Sequence, residues 1–391
     1  MSKLFLKTLF NNIKGVSFTV ELWDGETIKV GEGEDEFTVI IKEPIHEKDL
    51  LTSTTLTLGE AYMDGNIKIE GDLYYVLDKL LSIYDNFSTK LDKLPKIFKT
   101  SKDKKCQKKE VCSHYNLGND FYSKWLDETM SYSCAYFKKE DDTLYDAQMN
   151  KIHHILKKLN LQENMSLLDI GCGWGYLLVE AAKKYKVKGT GITLSEEQYK
   201  GCLQRIKEEG LEEDVNIILM DYRDLKKSGL LFDRVVSVGM IEHVERENYK
   251  LFFDNVNSVL KKKGLFLLHY ISSVKEGNGD AWIRKYIFPG GIIPSLREII
   301  DVAGDYKYHT IDVENLRLHY KKTLLMWYEN FMNNLPEISK DHDERFIRMW
   351  QVYLASCAAS FNNGVIDLHQ ILFTKGVNNT LPMTREYLYK E

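Results

Sequence analysis

"LLDIGCGWG", residues 167–175, decides the fold. The apolar opening reads as a buried strand that ends at Asp169. Three glycines follow at alternate positions, Gly171, Gly173 and Gly175, and then an apolar helical pattern, "LLVEAAKKY". Glycines at that point let the backbone approach a ligand at the carboxyl edge of a parallel sheet. The spacing is not the GxGxxG of a dinucleotide site, and no Lys-Ser/Thr follows to cradle a phosphate.

Outward from this turn the chain alternates. "SLLDIG", "VKGTGIT", "VNIILM", "DRVVSVGM" and "LFLLHYI" read as strands, and "SEEQYKGCLQRIKEEG" and "NYKLFFDNVNSVLKKKG" as helices. Strands alternating with helices imply a parallel sheet covered on both faces. The alternation then pauses over residues 274–307, which contain "AWIRKYIFPGGIIPS". A connection of that length tends to be functional and is expected to cap a site. Two helical patterns and a last strand, "IDLHQILFTKG", complete the domain. Before it, "SFTVELW" alternates Phe18, Val20 and Leu22 inward, Asp24-Gly25 signals a turn, and a helical stripe runs through Leu73, Val76, Leu77, Leu80, Leu81 and Tyr84. The expected fold is therefore α/β, a doubly wound sheet with a helical cap, preceded by a small α+β domain. The expected boundaries are 1–88 for the first domain, 89–111 for a linker and 112–391 for the catalytic domain.

Composition narrows the function classes. A chain of 391 residues has room for two or three domains, and a net charge of −5 gives no reason to expect nucleic acid. Cysteines 106, 112, 134, 172, 202 and 357 form no CxxC pair, so no metal site is expected. No cleavable signal opens the sequence, and no run approaches the roughly 20 apolar residues of a membrane span. The expectation is a cytoplasmic protein whose membrane contact is peripheral. Residues 90–109 hold nine lysines, a stretch open to two readings, a solvated hinge or a contact with anionic lipid. The amphipathic "KLFLKTLFNNI" is likewise open between lying on a bilayer and packing on its own domain.

The glycine turn with its preceding acid resembles the first motif of S-adenosylmethionine-dependent methyltransferases. At the end of the second strand "GITLSEEQ" offers Thr193, Ser195 and Gln198, whose hydroxyls and amide can bind a ribose; Ser195 and Gln198 can equally form a helix cap. "DYRDL" puts Asp221, Tyr222 and Arg223 where an adenine ring is flanked. In "VVSVGMIEHV", residues 235–244, the strand runs into Gly239 and then Glu242 and His243, which read alone as the opening of the next helix. His269 read alone is a strand-end histidine, and Tyr320 is one tyrosine among 23.

"SHYNLGNDFYSKWLDETMSYSCAYF", residues 113–137, is dense in aromatics. Taken with "LLDIGCGWG", "ITLSEEQ", "FDRVVSVGMIEHV", "LLHYI", "WIRKYIFPGG" and "FIRMWQVYLASCAASF", it closely resembles the cyclopropane-fatty-acyl-phospholipid synthases from about residue 112 onward. "LGEAYMDGNIKIEGDL" extends the likeness to the N-terminal domain of the bacterial enzymes. The resemblance implies transfer of the sulfonium methyl of S-adenosylmethionine to a cis double bond of a phospholipid acyl chain. Loss of a proton from that methyl then closes a three-membered ring. It implies a bound bicarbonate as base, held by Cys134 and Ile271 through their backbones and by Glu242, His269 and Tyr320. The cofactor would lie across Tyr132-Ser133, Asp169, Gly171 to Gly175, Thr193 to Gln198 and Tyr222-Arg223. Cys357 matches a cysteine once favoured as a nucleophile, though its small apolar surroundings favour packing. His243 is expected to be structural. The implied partners are unsaturated membrane phospholipid and a second copy of the chain, at the inner face of the cell membrane. The rival readings are a fatty-acyl methyltransferase that leaves a branch methyl or methylene, an amine methyltransferase, and a lipid-binding protein without catalysis.

Overall fold

The computed structural model describes residues 14–83, 117–277 and 279–389. Contacts divide the chain into two compact units. One is Met1–Phe98 with Asn278–Pro289 and Leu324–Val365, and the other is Lys99–Gly277 with Gly290–Thr323 and Ile366–Glu391. The amphipathic first residues, the lysine-rich stretch and the expected boundaries near 88 and 111 all lie outside the described residues.

The first unit contains strands β1 (Phe18–Glu21), β2 (Thr27–Val30), β3 (Thr38–Ile41) and β4 (Ile67–Glu70), in the sheet order β2-β1-β3-β4. The Asp24-Gly25 turn forms as its sequence requires, with Gly25 at φ +82° and its N–H donating to Leu22 O at 2.9 Å. The alternation of β1 buries Phe18 and Val20, and Phe18 stacks on Phe37 with centroids 4.8 Å apart. Helix Leu73–Ser82 starts at Asp72, whose carboxylate accepts the Tyr75 N–H at 2.7 Å. Two segments from late in the chain, the helices Ala281–Tyr286 and Glu344–Asn362, complete this unit.

The second unit is built on strands β5 (Ser166–Ile170), β6 (Lys188–Thr193), β7 (Val215–Leu219), β8 (Phe232–Val238), β9 (Leu260–Ser273), β10 (Tyr308–Asn315) and β11 (Ile366–Lys375), in the order β10-β11-β9-β8-β5-β6-β7. Pairing is parallel from β7 to β9, and β11 runs antiparallel to both β9 and β10. Successive residues of each central strand enter opposite cores. Leu167, Val236 and Leu267 meet Ile152, Leu178 and Ile206 on one face. Leu168, Val235 and Phe266 meet Phe252, Val256 and Ile299 on the other. Burial on both faces explains why the strands read as continuous apolar runs. The chain winds outward from β5 to β7 and returns through β8, so the order reverses between β5 and β8. Open sheets of this kind bind ligands at such a reversal.

Strand β10 is not among the expected elements. It lies at the sheet's edge, where Ile311 and Val313 stay exposed and only Tyr308 and Asp312 are buried, so its sequence carries no clean alternation.

Candidate active site

A cavity opens at the carboxyl ends of β5 to β8, and every element that lines it belongs to the second unit. Beyond β5, the N–H groups of Gly171 and Cys172 both donate to Ile192 O of β6, at 2.9 and 3.1 Å, which ties the glycine turn to the next strand. Gly171 stands at φ +82°, and a Cβ there would meet Met240 Cγ at 2.8 Å; Gly173 stands at φ +54° with open space where a Cβ would point. Only glycine satisfies both conditions without strain. Asp169 is buried beneath the turn. Burial pushes its carboxyl up to about 7, and Oδ1 has no hydrogen-bond partner among the described residues.

Thr193 Oγ1 donates to Gln198 Oε1 at 2.9 Å and accepts the Ser195 N–H at 3.2 Å, while Ser195 Oγ accepts the Gln198 N–H at 3.3 Å. Thr193 and Gln198 line the cavity, whereas Ser195 serves as helix cap and does not. No capping box forms, because the Gln198 side chain is held by Thr193. At the end of β7, Arg223 grips Asp221 through Nε at 2.9 Å and Nη2 at 2.5 Å, and both line the cavity beside Tyr222. Of the other residues assigned to the cofactor, Tyr132, Ser133, Asp169, Gly171 and Gly173 line the cavity; Gly175 does not, and instead starts helix Tyr176–Tyr185.

Several lining residues were not expected. Trp174 is fixed by donation to Asn119 Oδ1 at 2.8 Å and packs 5.5 Å from Tyr122, itself 5.5 Å from Tyr132. The aromatic-rich segment thus forms one wall. Lys151 enters from helix Leu144–Lys158; it sits among that helix's buried positions Leu144, Ala147, Gln148, Ile152 and Ile155, so the signal was a lysine at core spacing. His243, expected to be structural, lines the cavity as well. Burial pulls it down to about 4, so its ring is neutral.

Beside the cavity, the turn after β8 sends Glu242 toward β9. Glu242 Oε1 accepts the Ile271 N–H at 2.7 Å, and Oε2 has no partner among the described residues. Burial pushes this carboxyl up to about 7. His269, also on β9, meets Gln370 of β11, whose amide Nε2 lies 3.0 Å from Nδ1. Donation by that amide leaves the ring proton on Nε2, which is buried and without a partner among the described residues. Burial first, then nearby Lys151 and Lys158, hold His269 well below its ordinary value and therefore neutral. The Ile271 N–H, expected to face an anion, is taken by Glu242.

Cys134 and Tyr320 join this group through the backbone. Cys134 Sγ lies 3.9 Å from Leu316 O, which also accepts the Tyr320 N–H at 3.1 Å. The Leu316 N–H donates to Leu368 O at 2.8 Å, and Leu368 is the register partner of Ile271. Of the five expected residues, Glu242 and Ile271 are bonded directly, while Cys134 and Tyr320 are tied to β9 only by way of Leu316 and Leu368. Cys357 belongs to the other unit, and burial pushes its thiol up to about 12, so it carries no thiolate near neutrality.

The chain is similar to proteins of known type. The family profile "Mycolic acid cyclopropane synthetase" matches residues 102–371, and a domain of unknown function matches residues 5–92. A "Probable fatty acid methyltransferase" of Pseudomonas putida is 39% identical over 95% of this chain and 96% of its own length. A "Cyclopropane-fatty-acyl-phospholipid synthase" of Escherichia coli (strain K12) is 41% identical over 88% of this chain and 90% of its own. The solved structure of mycolic acid cyclopropane synthase CmaA1 complexed with SAH and CTAB superposes with a TM-score of 0.63 at 33% identity, covering 68% of this chain and 98% of that one.

Proposed function

The chain belongs to the mycolic acid cyclopropane synthetase family and is an S-adenosylmethionine-dependent C-methyltransferase, and from that premise we propose that it is a cyclopropane-fatty-acyl-phospholipid synthase. Its substrate is the cis double bond of an unsaturated phospholipid acyl chain, and bicarbonate is its base. One observation carries the reading. A buried acceptor, Glu242 Oε2, and a buried donor, His269 Nε2, both lack partners among the described residues; Glu242 lies in the turn after β8, next to the cavity-lining His243, and His269 lies on the neighbouring strand β9.

The cofactor supplies a sulfonium methyl. An alkene is a weak nucleophile, so the protein's part is to hold the double bond against that methyl and to keep water away from the positive charge that develops on the acyl chain. In the transfer the methyl carbon would give up its bond to sulfur, with S-adenosylhomocysteine leaving, gain a bond to each alkene carbon and lose one proton. Bicarbonate, when bound, supplies an anionic group that accepts this proton. Its hydroxyl and oxygens match Glu242 Oε2 as acceptor and His269 Nε2 as donor, and the family resemblance assigns Tyr320 and Cys134 to the same group. Burial raises Glu242 to about 7, so near neutrality it still presents a carboxylate to the bicarbonate hydroxyl, and burial keeps His269 neutral, so its Nε2 donates without adding charge.

The lipid would be met at the inner face of the membrane by a peripheral, dimeric, cytoplasmic enzyme. No helix among the described residues is long and apolar enough to cross a membrane. The test is mass spectrometry of unsaturated phospholipid vesicles incubated with the protein and cofactor bearing a trideuterated methyl. Gain of a carbon carrying two deuteriums, with the double bond consumed, is expected. Retention of all three would leave methyl transfer standing and remove ring closure and its base. Absence of label in lipid would remove the lipid substrate.

A further inference from the structure

We propose that Lys151 is the counter-charge for the amino-acid carboxylate of S-adenosylmethionine, while Asp169 takes its ammonium, so that the two residues together read the zwitterionic end of the cofactor. The proposal rests on the reading of this cavity as the cofactor site.

Lys151 is 3% exposed and lines the cavity together with Asp169. Its ammonium has three donors, and its one hydrogen bond among the described residues is to Ser133 Oγ at 3.0 Å. The carboxylates that act on it are Asp127 and Asp169, yet among the described residues neither bonds it. Asp127 is already occupied by the Thr129 N–H at 3.0 Å and the Thr129 hydroxyl at 2.9 Å. Asp169 Oδ1 is unpartnered on the same cavity wall. A buried ammonium with one neutral acceptor and a buried carboxylate with an unpartnered oxygen are costly, and a ligand that completes them offsets that cost. The cost shows in both. Burial pulls Lys151 down to about 8 and pushes Asp169 up to about 7. A ligand carrying one carboxylate and one ammonium returns both residues to their charged forms.

Calorimetric binding in bicarbonate-free buffer tests this with two probes, S-adenosylhomocysteine and its decarboxylated analogue, which ends in a propylamine. Wild-type protein should prefer the intact probe by about 100-fold, and Lys151→Met should weaken the intact probe by about 30-fold while moving the analogue less than about threefold. Ser133→Ala keeps the charge and removes the hydroxyl that orients it, so a several-fold loss confined to the intact probe gives a second reading should Lys151→Met fail to fold. Equal weakening of both probes by the variants, or wild-type protein blind to the carboxylate, overturns the proposal. Wild-type protein that binds neither probe overturns the cofactor reading and the proposal with it.

Discussion

The two halves of the site treat their polar groups in opposite ways. On the cofactor side most side chains are satisfied by one another: Thr193 by Gln198, and Asp221 by Arg223. On the β8–β9 side, Glu242 and His269 each spend one atom on the scaffold and keep the other unbonded. The first pattern fixes a shape before a ligand arrives. The second fixes orientation while leaving capacity for a ligand's own donor and acceptor. Geometry is therefore expected to govern affinity at one end, and chemistry to govern turnover at the other.

Glu242→Gln should divide the halves most sharply. Turnover is expected to fall by about 10²- to 10⁴-fold while cofactor affinity, read by calorimetry, stays within about twofold. Normal turnover would remove Glu242 from the reaction.

The same substitution has a stability consequence whose sign follows from the raised carboxyl. In the unfolded chain Glu242 loses its proton near its ordinary value of 4.5, whereas in the folded protein it keeps the proton until about 7. Wild-type stability therefore declines as pH rises from 4.5 to 7 and is flat beyond. Glu242→Gln escapes this loss, so it should be more stable than wild type by at most about 3 kcal/mol at pH 8 and no different near pH 4.5. Melting of the cofactor-free proteins at the two pH values reads the effect.

Gly173→Val, on the cofactor side, should weaken cofactor binding by roughly 10- to 100-fold. A β-branched residue at φ +54° is strained, and its side chain would enter the open space above the turn. Gln370→Leu should lower turnover by about tenfold with cofactor affinity unchanged, because the His269 ring loses the partner that sets its tautomer. Cys357→Ala, in the other unit, should change turnover by less than about twofold, since burial keeps its thiol protonated.

How much of this could be read from sequence depends on whether function followed from local pattern or from crossing strands. The glycine turn, Thr193 with Gln198, and the run of β5 to β9 were legible because each is a local spacing with a local physical cause. Strand β10 was not, since an edge strand with Ile311 and Val313 exposed has no alternation to read. The bond between Gln370 and His269 joins residues a hundred positions apart and has no signature in either segment. Of the five residues expected from resemblance, Glu242 and Ile271 bond each other, and only the strand register shows how Leu316 and Leu368 tie the segment holding Tyr320 to β9. Lys151 was visible in principle as a cation at core spacing, and was passed over because lysines usually lie on solvated faces. Ser195 shows the converse, a residue whose cap reading and ligand reading shared one sequence, of which the fold uses the cap.

The position of β11 between β9 and β10 also sets a time order on the ribosome. His269 emerges about a hundred residues before Gln370, and β9 has only β8 beside it until residues 366–375 have been made and slotted in. The cofactor cavity, drawn from residues 129–243, can close much earlier. A nascent chain would thus acquire its methyl-donor pocket well before its acid–base group, and gain the means to finish a reaction only after the last strand of the sheet is in place.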